Sequence, residues 1–215
     1  MVMVPIVIWG ASGHALVIAD ILRLTKKYKI CGFLDDVNSH LYESNFCGST
    51  ILGGREQLSD LRKQCIDHIV IAIGDCHLRQ QLSIYAQSQG FKLITIIHPS
   101  AVISKQVTIG DGTVICAASV VNPGTDIGEN VIINTASTVD HECTIEDAVH
   151  IGPGVHMGGR ARVKKRAWVG IGAVISDRIT IGENSIIGAG AVVVRDIPPN
   201  VVAYGVPAKV VRNID

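Results

Sequence analysis

Aromatic residues are scarce in this chain. Phe, Trp and Tyr make up 4% of its 215 residues, which excludes a core built from large rings. Net charge is absent too, with 19 basic side chains set against 19 acidic ones. That balance offers no basic face to nucleic acid or to an anionic membrane. No run of about 18 apolar residues occurs, so no membrane span is expected. Met1 to Ile8 is apolar, but it lacks a basic leader and a cleavage site before Gly10-Ala11-Ser12-Gly13. It is expected to be a first strand and no signal peptide. The six cysteines (Cys31, Cys47, Cys65, Cys76, Cys116, Cys143) form no CxxC pair and no regular spacing. Reduced, buried thiols in a cytoplasmic protein are expected. With 47% hydrophobic and 18% charged residues, the chain has ample material for a core and is not disordered. Its length allows one or two domains.

What is present in quantity is a repeat. From Ile97 to Val193, every sixth residue is aliphatic or Met, seventeen times without a slip. The fourth residue after each is small or apolar, as at Thr113, Ser119, Cys143, Ala161 and Ala191. The residue just after it is Gly, Asn or Asp in ten of the seventeen hexads, for example Gly110, Asn122, Asp140 and Gly152. A period of six fits neither an α-helix nor one flat sheet. It fits short strands joined by tight corners, with the aliphatic residue inward. Gly, Asn and Asp after it are expected to supply the positive φ of the corners. A single hexad buries nothing alone, so stability requires stacking.

The N-terminal third has a different rhythm. Val4–Ile8 reads as a strand, His14–Leu24 as a helix, and Lys29–Leu34 as a strand ending at Asp35-Asp36. A helix at 56–63, a strand at 66–73, a helix at 78–88 stopped by Gly90, and a strand at 92–97 follow. Strands alternating with helices predict a small parallel α/β sheet. The turn Gly10-x-x-Gly13, with Asp35 about 20 residues on, suits a nucleotide: glycines admit a phosphate to the backbone, and an acidic side chain can hold a ribose. The full GxGxxG is absent, because Ser12 takes the middle place. A nicotinamide dehydrogenase is disfavoured, because no catalytic domain of that kind follows.

These features together carry a family resemblance. The hexads resemble those of the hexapeptide-repeat acyltransferases, whose left-handed parallel β-helix uses three hexads per coil. Gly10-Ala11-Ser12-Gly13-His14, Phe33-Leu34-Asp35-Asp36, Ile71–Asp75, Ile97–Ala101, Asp140-His141-Glu142-Cys143 and the Tyr204–Lys209 tail are similar to one subfamily. It comprises the N-acetyltransferases of nucleotide-linked 4-amino-6-deoxy sugars, of bacillosamine and perosamine type, with sialic acid O-acetyltransferases as near relatives. The resemblance implies a Rossmann-like nucleotide-sugar-binding domain at 1–96 and an all-β left-handed β-helix acetyltransferase domain at 97–198, while Pro198, Pro199 and Pro207 predict a tail at 199–215 that leaves the coil and caps it. It implies acetyl-CoA as cosubstrate, no metal, a cytoplasmic location, and a homotrimer with active sites between subunits. A UDP-linked substrate is favoured, with dTDP or GDP as alternatives.

A histidine inside a hexad needs a reason, and His141 is one. Transfer of acetyl to an amine requires a neutral nitrogen. An imidazole, titrating near ~6.5, suits the removal of that proton. The resemblance implies His141 as general base, Glu142 as the carboxylate beside it, and His150 at acetyl-CoA. It implies backbone contacts from Ile171 and Ala189 to CoA, although position 189 is Gly in at least one relative. It assigns Gly10, Ala11, Ser12, Gly13, His14, Asp35, Asp36 and Gly74 to the nucleotide sugar. A backbone amide near Gly159 is a candidate for the oxyanion, and Lys164-Lys165-Arg166 is either a CoA phosphate site or a solvated corner. Cys143, in the small inward slot, is expected to be core. The alternative activities are O-acetylation of sialic acid or serine and, remotely, a γ-carbonic-anhydrase-type zinc enzyme. For the latter, His141, His150 and His156 have the wrong spacing to meet on one metal.

Overall fold

The computed structural model describes residues 3–214. The first two residues of the apolar start and the last residue of the tail therefore lie outside the described residues. The chain divides into two compact units, residues 1–99 and 100–215.

The first unit is a parallel α/β sheet. Strand β1 (Val4–Trp9) is its centre, and Ile6, Val7, Ile8 and Trp9 are buried, as a strand covered on both faces requires. Helix α1 (Gly13–Thr25) buries Ala15, Ile18, Ala19, Ile21 and Leu22. Strand β2 (Tyr28–Leu34) pairs with β1 in parallel. Two strands absent from the sequence reading follow, β3 (Asn45–Phe46) and β4 (Ser49–Gly53), of which β4 runs parallel to β2. The helix expected at 56–63 is a 3₁₀ turn, Arg55–Gln57, followed by α2 (Leu58–Lys63). Strand β5 (His68–Ile71) pairs with the other side of β1. Helix α3 (Cys76–Ser88) starts two residues early, because Asp75 caps it by accepting the Leu78 amide at 2.7 Å. The strand expected at 92–97 is two short pieces, of which Lys92–Leu93 is β6. The sheet order β3-β4-β2-β1-β5-β6 reverses direction at β1. A crevice beyond the carboxyl ends of β1, β2 and β5 follows from that reversal.

The second unit is a three-faced prism, a left-handed parallel β-helix. Each hexad supplies a two-residue strand whose second residue points inward, as in Thr138–Val139 and Thr144–Ile145. Strands stack with an 18-residue offset: Val120, Thr138, His156 and Val174 form one outward row. One face carries Ile132, His150, Trp168 and Ile186 outward. A second carries the Val120 row, and a third the polar row Thr108, Asp126, Thr144, Arg162 and Thr180. Within, Ile133, Val139, Ile151, Val163, Val169 and Ile187 are fully buried. Each such side chain contributes about 1.5–3 kcal/mol, and no ring is needed.

Several small inward slots share one bond, to a carbonyl 15 residues on. The Thr113, Ser119 and Thr125 hydroxyls donate to the Gly128, Asn134 and Asp140 carbonyls at 2.8, 2.9 and 3.0 Å. Cys143 occupies the same slot and its thiol donates to the Gly158 carbonyl. Burial pushes the Cys143 thiol up to about 11, so it is core and no nucleophile.

Two expectations change here. Positive φ does not fall on the residue after the aliphatic. It falls two places later, at Gly112, Gly124, Asn130, Glu142, Gly154, Arg160 and Asn184 among others. Glycine follows the aliphatic for a different reason, which is contact between coils: a Cβ at Gly110 would lie 2.5 Å from the Gly128 backbone, and one at Gly170 2.7 Å from the Ala189 amide. The tail also stays on the prism at first. Val201–Gly205 pairs in parallel with Ile186–Ile187, and Ala208–Asn213 folds back against it. Val201 and Ala203 point inward and close the core, which holds this segment to the coil despite Pro198 and Pro199.

Candidate active site

In the α/β unit, a cavity of about 420 Å³ lies at the carboxyl ends of β1 and β2. Gly10, Ala11, Ser12, Asp35 and Asp36 line it, together with Asn38 and Arg55. Gly10 is dictated by the fold, with φ +128 and a Cβ that would meet the Ala72 carbonyl at 2.7 Å. Gly13 and Gly74 are not dictated in this way, since a Cβ at either would meet nothing within 4 Å. Neither they nor His14 line the cavity. Gly13 and His14 open α1, and Gly74 follows the lining residue Ile73. The first turn of α1 holds no acidic residue, which keeps its amides favourable to an anion.

The two acidic residues differ. Asp35 is 7% exposed and binds its own turn, accepting from the Val37 and Asn38 amides at 2.8 and 2.9 Å and from the Asn38 side chain at 3.0 Å. Burial raises its carboxyl, but these bonds together outweigh burial and hold it below the usual range. Asp36 is engaged by Arg55, whose backbone amide and Nη2 donate to its two oxygens at 2.7 and 2.8 Å. The Arg55 guanidinium lies 5.7 Å above the Tyr85 ring. Arg55 was not singled out by the sequence, because it lies in an irregular segment far from Asp36 along the chain. Arg79 was missed as well. It is 1% exposed and donates to the Ile73 and Gly74 carbonyls at 3.0 and 2.9 Å, which fixes the loop ahead of α3.

In the prism, His141 sits at the corner between the second and third faces. Its Nδ1 lies 2.9 Å from Glu142 Oε2. A carboxylate only accepts, so Nδ1 donates, an arrangement that in the neutral ring leaves the lone pair on Nε2. Asp140 braces the corner by accepting the His141 amide at 2.7 Å and the Asn122 side chain at 3.0 Å. Those two bonds hold the Asp140 carboxyl below the usual range. The imidazole lies over Gly159, one coil on, where a Cβ would be 2.6 Å from Nε2. Gly159 is therefore needed for the ring to lie there. Arg160 completes the cluster, its Nε and Nη2 each 2.9 Å from Glu142 Oε2. The bond from His141, then the bond and charge of Arg160, hold the Glu142 carboxyl low.

The residues assigned to CoA lie elsewhere. His150 is on the first face, with Nε2 3.3 Å from Asn134 Nδ2 and the ring edge-on to Trp168. Ile171 and Ala189 stack at the corner between the first and second faces; the Ile171 carbonyl accepts the Gly190 amide at 2.8 Å. His141 is thus separated from Ile171 and Ala189 by the width of the second face. His156, on that second face, is bonded to Thr138 at 2.9 Å. Lys164 and Lys165 pair with Glu146 and Asp147 at 2.7 and 3.4 Å, and Arg166 pairs with Glu183. Among the described residues, no group of three His, Cys, Asp or Glu side chains is arranged to hold a metal ion, and no helix is long and apolar enough to cross a membrane.

A nucleotide-type crevice and a hexad prism bearing a histidine–glutamate corner define a class, the hexapeptide-repeat acyltransferases. Comparison with known proteins agrees and goes further. Residues 5–86 match the PglD N-terminal domain, and residues 160–195 match the bacterial transferase hexapeptide. The H141A mutant of GDP-perosamine N-acetyltransferase from Caulobacter crescentus, solved with CoA and GDP-perosamine, is 38% identical over 97% of both chains, with a TM-score of 0.93. The acetyltransferase domain of PglB from Neisseria gonorrhoeae FA1090, in complex with acetyl coenzyme A, is 36% identical over 97% of this chain and 100% of that one, with a TM-score of 0.91. UDP-N-acetylbacillosamine N-acetyltransferase from Bacillus subtilis is 34% identical over 120 residues. The match spans about half the length of that curated relative, 51%. The chain belongs to the family of sugar N-acetyltransferases that join a PglD-type N-terminal domain to a left-handed β-helix.

Proposed function

We propose that this protein transfers acetyl from acetyl-CoA to the 4-amino group of a nucleotide-linked 4-amino-6-deoxy sugar. The observation that carries this reading is the corner at 141. There an imidazole, with Nδ1 tied to a carboxylate and Nε2 open, lies against a glycine that leaves it room. His141 accepts a proton of the attacking amine at Nε2, while Glu142 steadies the imidazolium through Nδ1. The sugar nitrogen bonds to the acetyl carbon, the carbon–sulfur bond breaks, and the proton passes to the departing sulfur. The amide of Gly159 is suited to the oxygen that becomes negative in between.

The nucleotide occupies the cavity at Gly10–Ser12. The first turn of α1, through Gly13 and His14, meets the phosphates, and Gly74 leaves room beside Ile73. Asp36 with Arg55 reads the base and ribose, since Asp35 already has both oxygens engaged in its own turn. A UDP-linked sugar is favoured by the bacillosamine resemblance, and GDP stands beside it because the perosamine relative carries a GDP-sugar. The second face, with Val102 and Val174 exposed, packs against other copies in a homotrimer. Such packing sets the His141 corner of one copy near the Ile171–Ala189 corner and His150 of the next, with CoA in the groove between them. The protein acts in the cytoplasm, where acetyl-CoA and sugar nucleotides are made.

The test mixes acetyl-CoA with UDP-, dTDP- and GDP-linked 4-amino-6-deoxy sugars and follows free thiol. Acetylation of one of them at nitrogen supports the reading. Thiol release with none of them, but with a sialic acid or serine, removes it.

A further inference from the structure

Arg160 belongs to no motif, yet it grips the dyad at two points. Its amide donates to the His141 carbonyl at 2.8 Å. Its Nε and Nη2 both reach Glu142 Oε2 at 2.9 Å, the same oxygen that accepts His141 Nδ1 at 2.9 Å. The coil explains the meeting: Glu142 and Arg160 are 18 residues apart, so they stack at one corner, and both have a positive φ, 56 and 60. A glutamate side chain at a half-exposed corner has several rotamers of similar energy. Two bonds from a planar guanidinium select one of them.

We infer that Arg160 is a positioning residue for acetyl transfer, holding Glu142 Oε2 against His141 and moderating the negative charge that the imidazole feels. The inference rests on His141 being the base. Two consequences follow. Without the guanidinium, Glu142 leaves the orientation that holds the ring, so turnover falls. When Glu142 does face the ring, its full charge stabilises the imidazolium, so the histidine keeps its proton to higher pH. The charged groups at the ring's corner are Asp140, Glu142 and Arg160, with Asp177 and Arg178 stacked one coil beyond Arg160. Both Arg160 and the His141 ring bond to the Glu142 carboxylate.

The experiment compares wild type, Arg160→Gln and Arg160→Lys by kcat and by the two KM values from about pH 5.5 to 9, with thermal unfolding recorded alongside. For Arg160→Gln, kcat falls about tenfold while both KM values stay within about twofold. The acid limb of the kcat profile moves up by ~0.5 pH unit. Arg160→Lys, which keeps the charge but not the fork, loses kcat to a smaller degree with the acid limb in place. If Arg160→Gln does not fold, the Lys variant alone decides: kcat lower by more than about twofold with both KM values held supports the inference, and kcat within about twofold overturns it. An unmoved acid limb with kcat within twofold overturns the inference. So does a rise in KM for acetyl-CoA at constant kcat, which would make Arg160 a CoA ligand. His141→Ala, run in parallel, separates the two readings: full turnover there removes the base assignment, whatever Arg160 does.

Discussion

The two units reach a stable fold by opposite routes, and the difference shows in how each holds its candidate site. The prism follows one rule in every coil, with an aliphatic residue or Met inward, a small or apolar residue in the slot, and an 18-residue stack. Departures from that rule stand out, and His141 over Gly159 is the clearest. The α/β unit has no such rule. Its cavity is built from turns that differ from one another, each with its own bonds, as Asp35 and Asp36 illustrate. A regular scaffold isolates its chemistry at a corner, whereas an irregular one distributes recognition among loops.

The largest effect that sharpens this contrast is at the corner. His141→Ala is expected to lower kcat by ~10²–10⁴-fold with the unfolding temperature unchanged, as measured by thiol release and thermal melts. Activity close to wild type would end the contrast at its catalytic side. Gly159→Ala comes next. The added methyl group displaces the ring, and kcat is expected to fall by about 10²-fold with little loss of stability. A structural element tolerant of alanine at that point would leave turnover intact. In the prism core, Ile151→Ala should cost about 2–5 kcal/mol in denaturant unfolding and lower kcat only through loss of fold.

The cavity should respond more gently. Asp36→Ala is expected to raise KM for the nucleotide sugar about tenfold with kcat held, because it releases Arg55 from the lining. Asp35→Asn should act on stability. The Asp35 carboxyl is depressed in the folded state, so its contribution is present above the unfolded carboxylate value and is lost as pH falls through the folded one. The gap in melting temperature between wild type and Asp35→Asn should therefore be widest near neutrality and close below about pH 4. A gap that widens in acid would reverse the assignment of Asp35 to its own turn.

The expected mirror between sequence and structure held best where the pattern was longest. Seventeen aliphatic steps of six left little freedom for the chain, and the inward rows from Ile109 to Val193 lie where the repeat put them. It failed where two residues far apart in sequence make one feature. Arg55 meets Asp36 across 19 positions, and Arg160 meets Glu142 across a coil. Strands β3 and β4 were missed because five or fewer residues with mixed burial carry no readable alternation.

The sequence by itself determined the six-residue period, the inward rows, the slot residues and the candidate histidine, because a periodic core leaves each position one side to face; three hexads to a coil came with the family resemblance. Only the tertiary structure decided that glycines after the aliphatic residue make room for the neighbouring coil. It also decided that Asp35 serves its own turn, that Gly159 seats the imidazole, and that a guanidinium one coil away holds the glutamate. Those are contacts between residues brought together by stacking and turning, and linear spacing carries no record of which side-chain atoms then fall within bonding distance.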